Sequence, residues 1–256
     1  MVQGYLSFTR KDMAFCFSIK IDPSKVSQAI IYSTFNTKST YEPEVVYVLS
    51  EVLREGNVIV DVGAHIGYLS LVARSMVGET GKIYSIEPEY NNFEQLSDNI
   101  AINLYDNVKP IQAIVTDHTG METLYVNIDN DGGHALWDCG IHFFNQKTRE
   151  NPQTVLVDAI TLDELAKKEG INHINLLKID TEGAELRILH GAVRLLEEGR
   201  IRNIVLEVHS QGLELLGGNV EELFEYLGEF DYKPTILTPD GKGLNGNIYN
   251  TWFRKV

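Results

Sequence analysis

Apolar positions recur along this chain at two periods, and the two alternate. Short apolar runs with strand character lie at Val58–Val62, Lys82–Glu87, Val108–Val115, Ile174–Ile179 and Asn203–Val208. Between and after them, apolar residues three and four apart predict amphipathic helices at Tyr68–Met76, Asn92–Asn103, Ala184–Glu197 and Val220–Leu227. Upstream, Val45, Val48, Leu49, Val52 and Leu53 keep helical spacing after Pro43, and Gly56 ends that helix. Repeated strand–helix units predict an α/β fold: a mostly parallel central sheet with helices on both faces. Lys233–Leu237 and Tyr249–Arg254 flank the Gly-rich turn Asp240–Gly246, which predicts an antiparallel C-terminal strand pair.

The rhythm is interrupted in two places. Residues 1–40 read as an N-terminal extension, with a strand at Met13–Ile21, a short helix from Pro23 to near Tyr32 and a polar loop at Asn36–Thr40. Residues 120–160 read as a β-rich insertion, with strand-like pieces at Glu122–Ile128 and Thr154–Ala159 around Gly132, Gly133 and Gly140. Thr161 is placed to cap the helix Leu162–Glu169. Residues 41–256 then form one domain carrying that insertion, as the length of 256 residues suits.

Composition removes some function classes. Apolar residues make up 43% of the chain, enough for a core without disulfide staples. No run approaches the roughly 18 uncharged apolar residues of a membrane helix, so no span is expected. Met1–Lys20 has no apolar run behind a basic cluster, so no secretory signal is read. Cys16 and Cys139 lack metal-type spacing, and a cytoplasmic setting is expected. The net charge of −14 should repel polyphosphate, which argues against a nucleic-acid partner.

Open sheets of this kind bind ligands beyond the carboxyl ends of their strands. Five loops are therefore singled out. The first holds Asp61-Val62-Gly63-Ala64-His65-Ile66-Gly67. Its D-x-G-x-x-x-G spacing differs from the G-x-G-x-x-G that cradles a dinucleotide pyrophosphate. A carboxylate at the strand end suits a cationic ligand instead, and S-adenosylmethionine carries a sulfonium and an ammonium. Gly63 permits a tight turn and close ligand approach, and Gly67 close packing of the next helix. In the second loop, Glu87 stands 20 positions after Gly67, where a carboxylate can accept from both ribose hydroxyls. Pro88 halts the strand, and Asn91 or Asn92 can cap the following helix.

In the third loop, Gln112 and Ala113 are candidates for the adenine edge, with Asp117 an alternative acceptor. The fourth, Lys178-Ile179-Asp180-Thr181-Glu182-Gly183-Ala184-Glu185, brings two carboxylates into the cleft. Asp180 and Glu182 can receive a proton, bind a metal or hold an ammonium; Glu182 can equally serve its helix N-terminus. Lys178 can pair with a neighbouring carboxylate. In the fifth, His209 suits a general base, and Glu207 can join Asp180 in holding a hard divalent cation.

These segments together resemble the FkbM family of methyltransferases, from about Tyr41 to His209. The most specific parts are Asp61–Gly67, Glu87-Pro88 and Lys178–Glu185, with Thr161–Leu165 between them. Tyr41-Glu42-Pro43 is similar to the family's lead into its first helix. The resemblance implies a Rossmann-like class I fold and S-adenosylmethionine-dependent methyl transfer to oxygen. The acceptor is commonly a hydroxyl of a sugar, lipid or secondary metabolite, so the expected partner is a small molecule or glycan. It implies that Asp61, Gly63, Ala64, His65 and Gly67 form the cofactor loop and that Glu87 and Pro88 meet the ribose. Asp180 and Glu182 then border methionine and acceptor, and His209 or Asp180 is the candidate base. His65 stands where such loops often have Asn. His134, Trp137 and His142 can stack on a sugar or pack the insertion onto the core. The apolar segment Phe8–Ile21 can cover the cleft or form a homo-oligomer contact. A cofactor-binding protein without catalysis and a nicotinamide-dependent oxidoreductase are the competing expectations.

Overall fold

The computed structural model describes residues 2–10, 13–37, 39–237 and 248–256, with side chains from Cys16 onward except Asn36. The chain runs β1 (Val2–Arg10), β2 (Met13–Ile21), α1 (Val26–Thr37), α2 (Pro43–Val52), β3 (Val58–Val62), α3 (Tyr68–Val77), β4 (Lys82–Ile86) and α4 (Tyr90–Ala101). It continues through β5 (Val108–Ile111), β6 (Ile114–Val115), β7 (Gly120–Val126), a 3-10 turn at Cys139–Ile141, α5 (Gln146–Glu150), β8 (Gln153–Ile160) and α6 (Leu162–Glu169). The last part is β9 (Leu176–Ile179), α7 (Glu185–His190), α8 (Val193–Glu197), β10 (Asn203–His209), α9 (Ser210–Leu215), α10 (Val220–Glu229), β11 (Tyr232–Leu237) and β12 (Ile248–Lys255).

The strands of the central sheet follow the order β11-β12-β10-β9-β3-β4-β5. Pairing from β10 to β5 is parallel, and β12 lies antiparallel between β10 and β11. The expected mostly parallel, Rossmann-like sheet with an antiparallel C-terminal pair is present. β3, β9 and β4 after Lys82 are buried along almost their whole length because both faces are covered, Asp61, Ser85 and Lys178 included. On one face Leu162, Leu165, Leu189, Leu195, Leu213 and Leu223 pack from the helices α6 to α10. On the other, α2, α3 and α4 share a core with Phe17, Ile19 and Ile21 of β2 and Ile31 of α1. No described helix is long and apolar enough to cross a membrane.

Departures from the expected elements have local causes. Val108–Val115 is not one strand. It breaks at Gln112-Ala113, and Ile114–Val115 pairs with Ala159–Ile160 in a second sheet, ordered β6-β8-β7. Ala184–Glu197 is not one helix either. Gly191 interrupts it where a Cβ would stand 2.2 Å from the carbonyl oxygen of Thr116, so the chain bends to pass that backbone. Helix α4 is capped by Glu89, whose carboxylate accepts the Asn92 N–H at 2.9 Å, and not by Asn91 or Asn92. Thr161 caps α6 as expected, accepting the Glu164 N–H at 3.1 Å. Helix α1 runs on past Tyr32 to Thr37. The strand β1 and the short helices α5 and α9 had no periodic signal. The Asp240–Gly246 turn and the side chains of Phe8–Phe15 lie outside the described residues.

Candidate active site

The sheet order reverses at β3. From it the chain steps outward through β4 and β5, then returns to β9 on the other side. Loops on the two sides of such a switch point diverge and leave a crevice. A cavity of about 300 Å³ opens there, walled by residues at the ends of β3, β4, β9 and β10, with α1, the start of α2 and the insertion around it.

The turn after β3 is fixed by its backbone. The N–H groups of Gly63 and Ala64 both donate to the carbonyl of Ile86, at 3.0 and 2.9 Å. Gly63 adopts φ +77°, and a Cβ on it would lie 1.9 Å from the carbonyl oxygen of Asp180. Only glycine fits. Gly67, at φ +88°, sits at the start of α3, where a Cβ would meet Leu96 of α4 at 2.6 Å. It serves helix packing and does not reach the cavity. Asp61 also lies behind the wall. It is buried, accepts from Ser70 Oγ at 2.6 Å and lies 3.3 Å from Lys178 Nζ.

Glu87 faces the cavity beside that turn. Its two oxygens accept backbone N–H groups of His65 (2.9 Å) and Glu89 (3.0 Å). Burial pushes its carboxyl up to about 7 against the pull of His65 and these N–H donors. Pro88 and Ala113 line the same region. Gln112 is exposed and does not line the cavity; its amide donates to the Pro88 carbonyl at 3.4 Å. Asp117 is spent on Arg187 and His118.

The far end of the cavity is acidic. Buried Lys178 donates to the carbonyl of Gly63 at 2.8 Å and lies 3.3 Å from both Asp61 and Asp180. Burial disfavours its charge, but Asp180, Asp61 and Glu42 outweigh burial and hold the ammonium protonated. Burial raises Asp180, yet Lys178 and His209 prevail and leave its carboxyl below the usual range. His209 lies between two carboxylates, with Nδ1 3.0 Å from Glu182 and Nε2 2.6 Å from Glu207. Burial works against a charged ring, but these two bonds hold its pKa well above the ordinary histidine value. Burial and Asp180 push Glu207 up to about 7.

Glu42, absent from the residues singled out by sequence, also lines this end. Burial, then Asp180, pushes its carboxyl up to about 8. Its only signal was its place in Tyr41-Glu42-Pro43. It caps α2 at φ +46°, which turns the chain into the cleft. Within the insertion, Trp137 donates its ring N–H to the Glu182 carbonyl at 2.6 Å, and His134 lines the cavity while His142 does not. Asp180, Glu207 and His209 each bring one ligand atom within 4.8 Å of the others. Nδ1 of His209 is already against Glu182 and Nε2 against Glu207, so a divalent ion held by this set has to displace one of these contacts.

Sheet order, switch-point cavity and glycine turn define a Rossmann-like fold with a ligand-sized crevice at its strand ends. Residues 61–234 match the methyltransferase FkbM domain, and the chain belongs to that family. It is similar to the hexuronic acid methyltransferase AglP of Haloferax volcanii, with 23% identity over 170 residues, 66% of this chain and 63% of AglP. It is 26% identical over 179 residues to the 31-O-demethyl-FK506 methyltransferase FkbM of Streptomyces tacrolimicus, covering 61% of this chain and 67% of that protein. The crystal structure of methyltransferase FkbM from Methylobacillus flagellatus KT shares the fold, with a TM-score of 0.50 and 17% identity over 92% of this chain and 56% of that one. This chain thus spans less than two thirds of the length of AglP and of the Methylobacillus protein.

Proposed function

We propose that this methyltransferase uses S-adenosylmethionine to methylate a hydroxyl of a small-molecule or glycan acceptor. The observation that carries this is Glu87, a buried carboxylate on the cavity wall that accepts two backbone N–H groups among the described residues. An ionised carboxylate accepts about four hydrogen bonds, so Glu87 keeps capacity for a ribose diol. Gly63, which no side chain can replace, lets a ligand lie against the turn. When bound, the cofactor supplies a methyl group on a sulfonium, a leaving group that needs no acid.

The protein's remaining tasks are alignment and removal of the hydroxyl proton. Asp180 is the base that fits. It is ionised beside Lys178, whereas both nitrogens of His209 act as donors and have no lone pair to offer. His209 instead orients Glu182 and Glu207 and balances their charge. The methyl carbon would pass from the sulfonium to the acceptor oxygen, with the carbon–sulfur bond breaking to leave S-adenosylhomocysteine, while Asp180 takes the hydroxyl proton. Asp180→Asn is expected to lower kcat by about 100- to 10,000-fold, the range of general-base catalysis. Cofactor affinity should fall far less. Retention of more than a tenth of the wild-type kcat would remove Asp180 as the base.

Calorimetric titration tests the cofactor assignment. The wild type should bind S-adenosylmethionine saturably and NAD not at all. Glu87→Ala removes two charge-assisted hydrogen bonds and is expected to weaken binding about 100-fold. Affinity should also depend on pH. Glu87 is protonated below about 7 and ionised above it, and only the ionised form accepts from both hydroxyls. Binding therefore strengthens as pH rises from 6 to 8, with proton release, and Glu87→Gln should flatten that dependence. NAD binding would point to an oxidoreductase. Cofactor binding with no S-adenosylhomocysteine released in the presence of hydroxylated acceptors would favour a protein that binds without catalysing.

A further inference from the structure

Asp131 belongs to the insertion and has a side chain only 10% exposed. It does not face the cavity, although its neighbours Asn130 and Gly132 do, and so does His134. Its three oxygens go to three elements far apart in sequence. Oδ1 accepts the Ser27 N–H at the start of α1 at 2.9 Å. Oδ2 lies 2.9 Å from Nε2 of His65 in the turn after β3. The main-chain carbonyl accepts from the Asn92 side chain of α4 at 2.7 Å. Ser27 Oγ adds a bond to Asn130 at 2.7 Å.

His65 is the centre of this arrangement. Its backbone N–H is on Glu87 and its ring on Asp131. It holds φ +51°, a left-handed conformation that persists in a non-glycine residue only when its surroundings enforce it. An imidazole reaches further than an asparagine amide, and here that reach is used to meet Asp131.

We propose that Asp131 is a positioning residue for the cofactor turn: acting through His65, it latches residues 127–136 over the part of the cavity lined by His65 and Glu87 and sets how long the cofactor stays. The inference rests on the S-adenosylmethionine reading above. Asn130, Gly132, His134, Ala135 and Leu136 line the same cavity as Gly63, Ala64 and Glu87. A ligand held against Glu87 shares the cavity with this segment, and its release is the step the latch slows. Lifting breaks the Ser27, His65 and Asn92 contacts of one residue together. The His65–Asp131 pair is mostly shielded from solvent, with side chains 19% and 10% exposed, so it is screened less than a surface pair.

The test is a cofactor dissociation measurement on wild type, Asp131→Asn, His65→Asn and the double variant, with amide hydrogen exchange on the same proteins. Asp131→Asn is expected to release S-adenosylhomocysteine about tenfold faster, with Kd raised in proportion. The loss should fall on KM for the cofactor more than on kcat. Amides of 127–136 should exchange faster, while the central strands keep wild-type protection. His65→Asn should act in the same direction, and the double variant should be no worse than the worse single change, because one contact is lost in all three. If Asp131→Asn fails to fold, His65→Asn carries the same comparison. Dissociation within twofold of wild type, or effects that multiply in the double variant, overturns the latch. Failure of the wild type to bind cofactor overturns the cofactor reading instead. Exchange at 127–136 in the unliganded proteins then still decides whether Asp131 holds the segment.

Discussion

Gly63→Ala is expected to remove cofactor binding and to lower stability by about 3–5 kcal/mol. Two costs combine. The residue holds φ +77°, which an L side chain adopts at a cost of about 1–2 kcal/mol. The added Cβ would also stand 1.9 Å from the carbonyl oxygen of Asp180. That atom is backbone in a strand end, so relief requires β3 and β9 to part at the cavity. The same movement pulls the Gly63 carbonyl from Lys178 and the Gly63 N–H from Ile86. For a domain of this size, the loss corresponds to a melting temperature lower by roughly 10 °C. Gly170→Ala is the internal control. It shares a positive φ of +65° but has nothing within 4 Å of its Cβ position, so only the conformational cost of about 1 kcal/mol remains. Thermal melts and calorimetry on both variants decide. A Gly63→Ala protein that melts with the Gly170→Ala protein and still binds cofactor would show that the turn has room the geometry denies.

Lys178→Met should be nearly as severe. The ammonium is 6% exposed and stands between Asp61, at 4%, and Asp180. Removing it leaves buried Asp61 and the cavity-lining Asp180 without the cation they share. Breaking a buried pair from one side costs about 3–5 kcal/mol, far more than its net contribution when intact. Lys178→Met in an Asp61→Asn background should recover part of that loss, because one uncompensated charge is gone. Lys178→Arg should not substitute, since a planar guanidinium cannot place one donor on the Gly63 carbonyl and keep both carboxylates in reach. Urea unfolding of the variants measures the losses. A change below 1 kcal/mol for Lys178→Met would mean that Asp61 and Asp180 are stabilised without it.

How far the sequence reached is clearest at the strand ends. The apolar runs at Val58–Val62 and Ile174–Ile179 and the helical spacing after Tyr68 depend on residues a few positions apart, and so does the D-x-G-x-x-x-G turn. Local steric rules govern all of these, so the parallel sheet, the glycine turn and the Glu87 position could be read directly. Lys178 was assigned a carboxylate partner, but not that the partners are Asp61 and Asp180, nor that its third contact is a carbonyl 115 positions away.

What failed to show in the sequence shares one physical origin. Glu42 is an unremarked acid before a helix until α2 packs beside β10 and turns it toward Asp180. Asp131 is one of several polar residues in a loop until the insertion folds back on α1 and the turn after β3. His209 reads as a lone strand-end histidine until the fold sets Glu182 and Glu207 against its two nitrogens. The break at Gly191 follows from Thr116, which no helical period encodes. The alternation of apolar and polar residues was thus enough to determine the central parallel strands, most of the helices that cover them and the loops that crowd the switch point. The tertiary structure alone decided which charges meet there and which nitrogens are left free, because desolvation and charge pairing act between side chains that only the sheet order brings together.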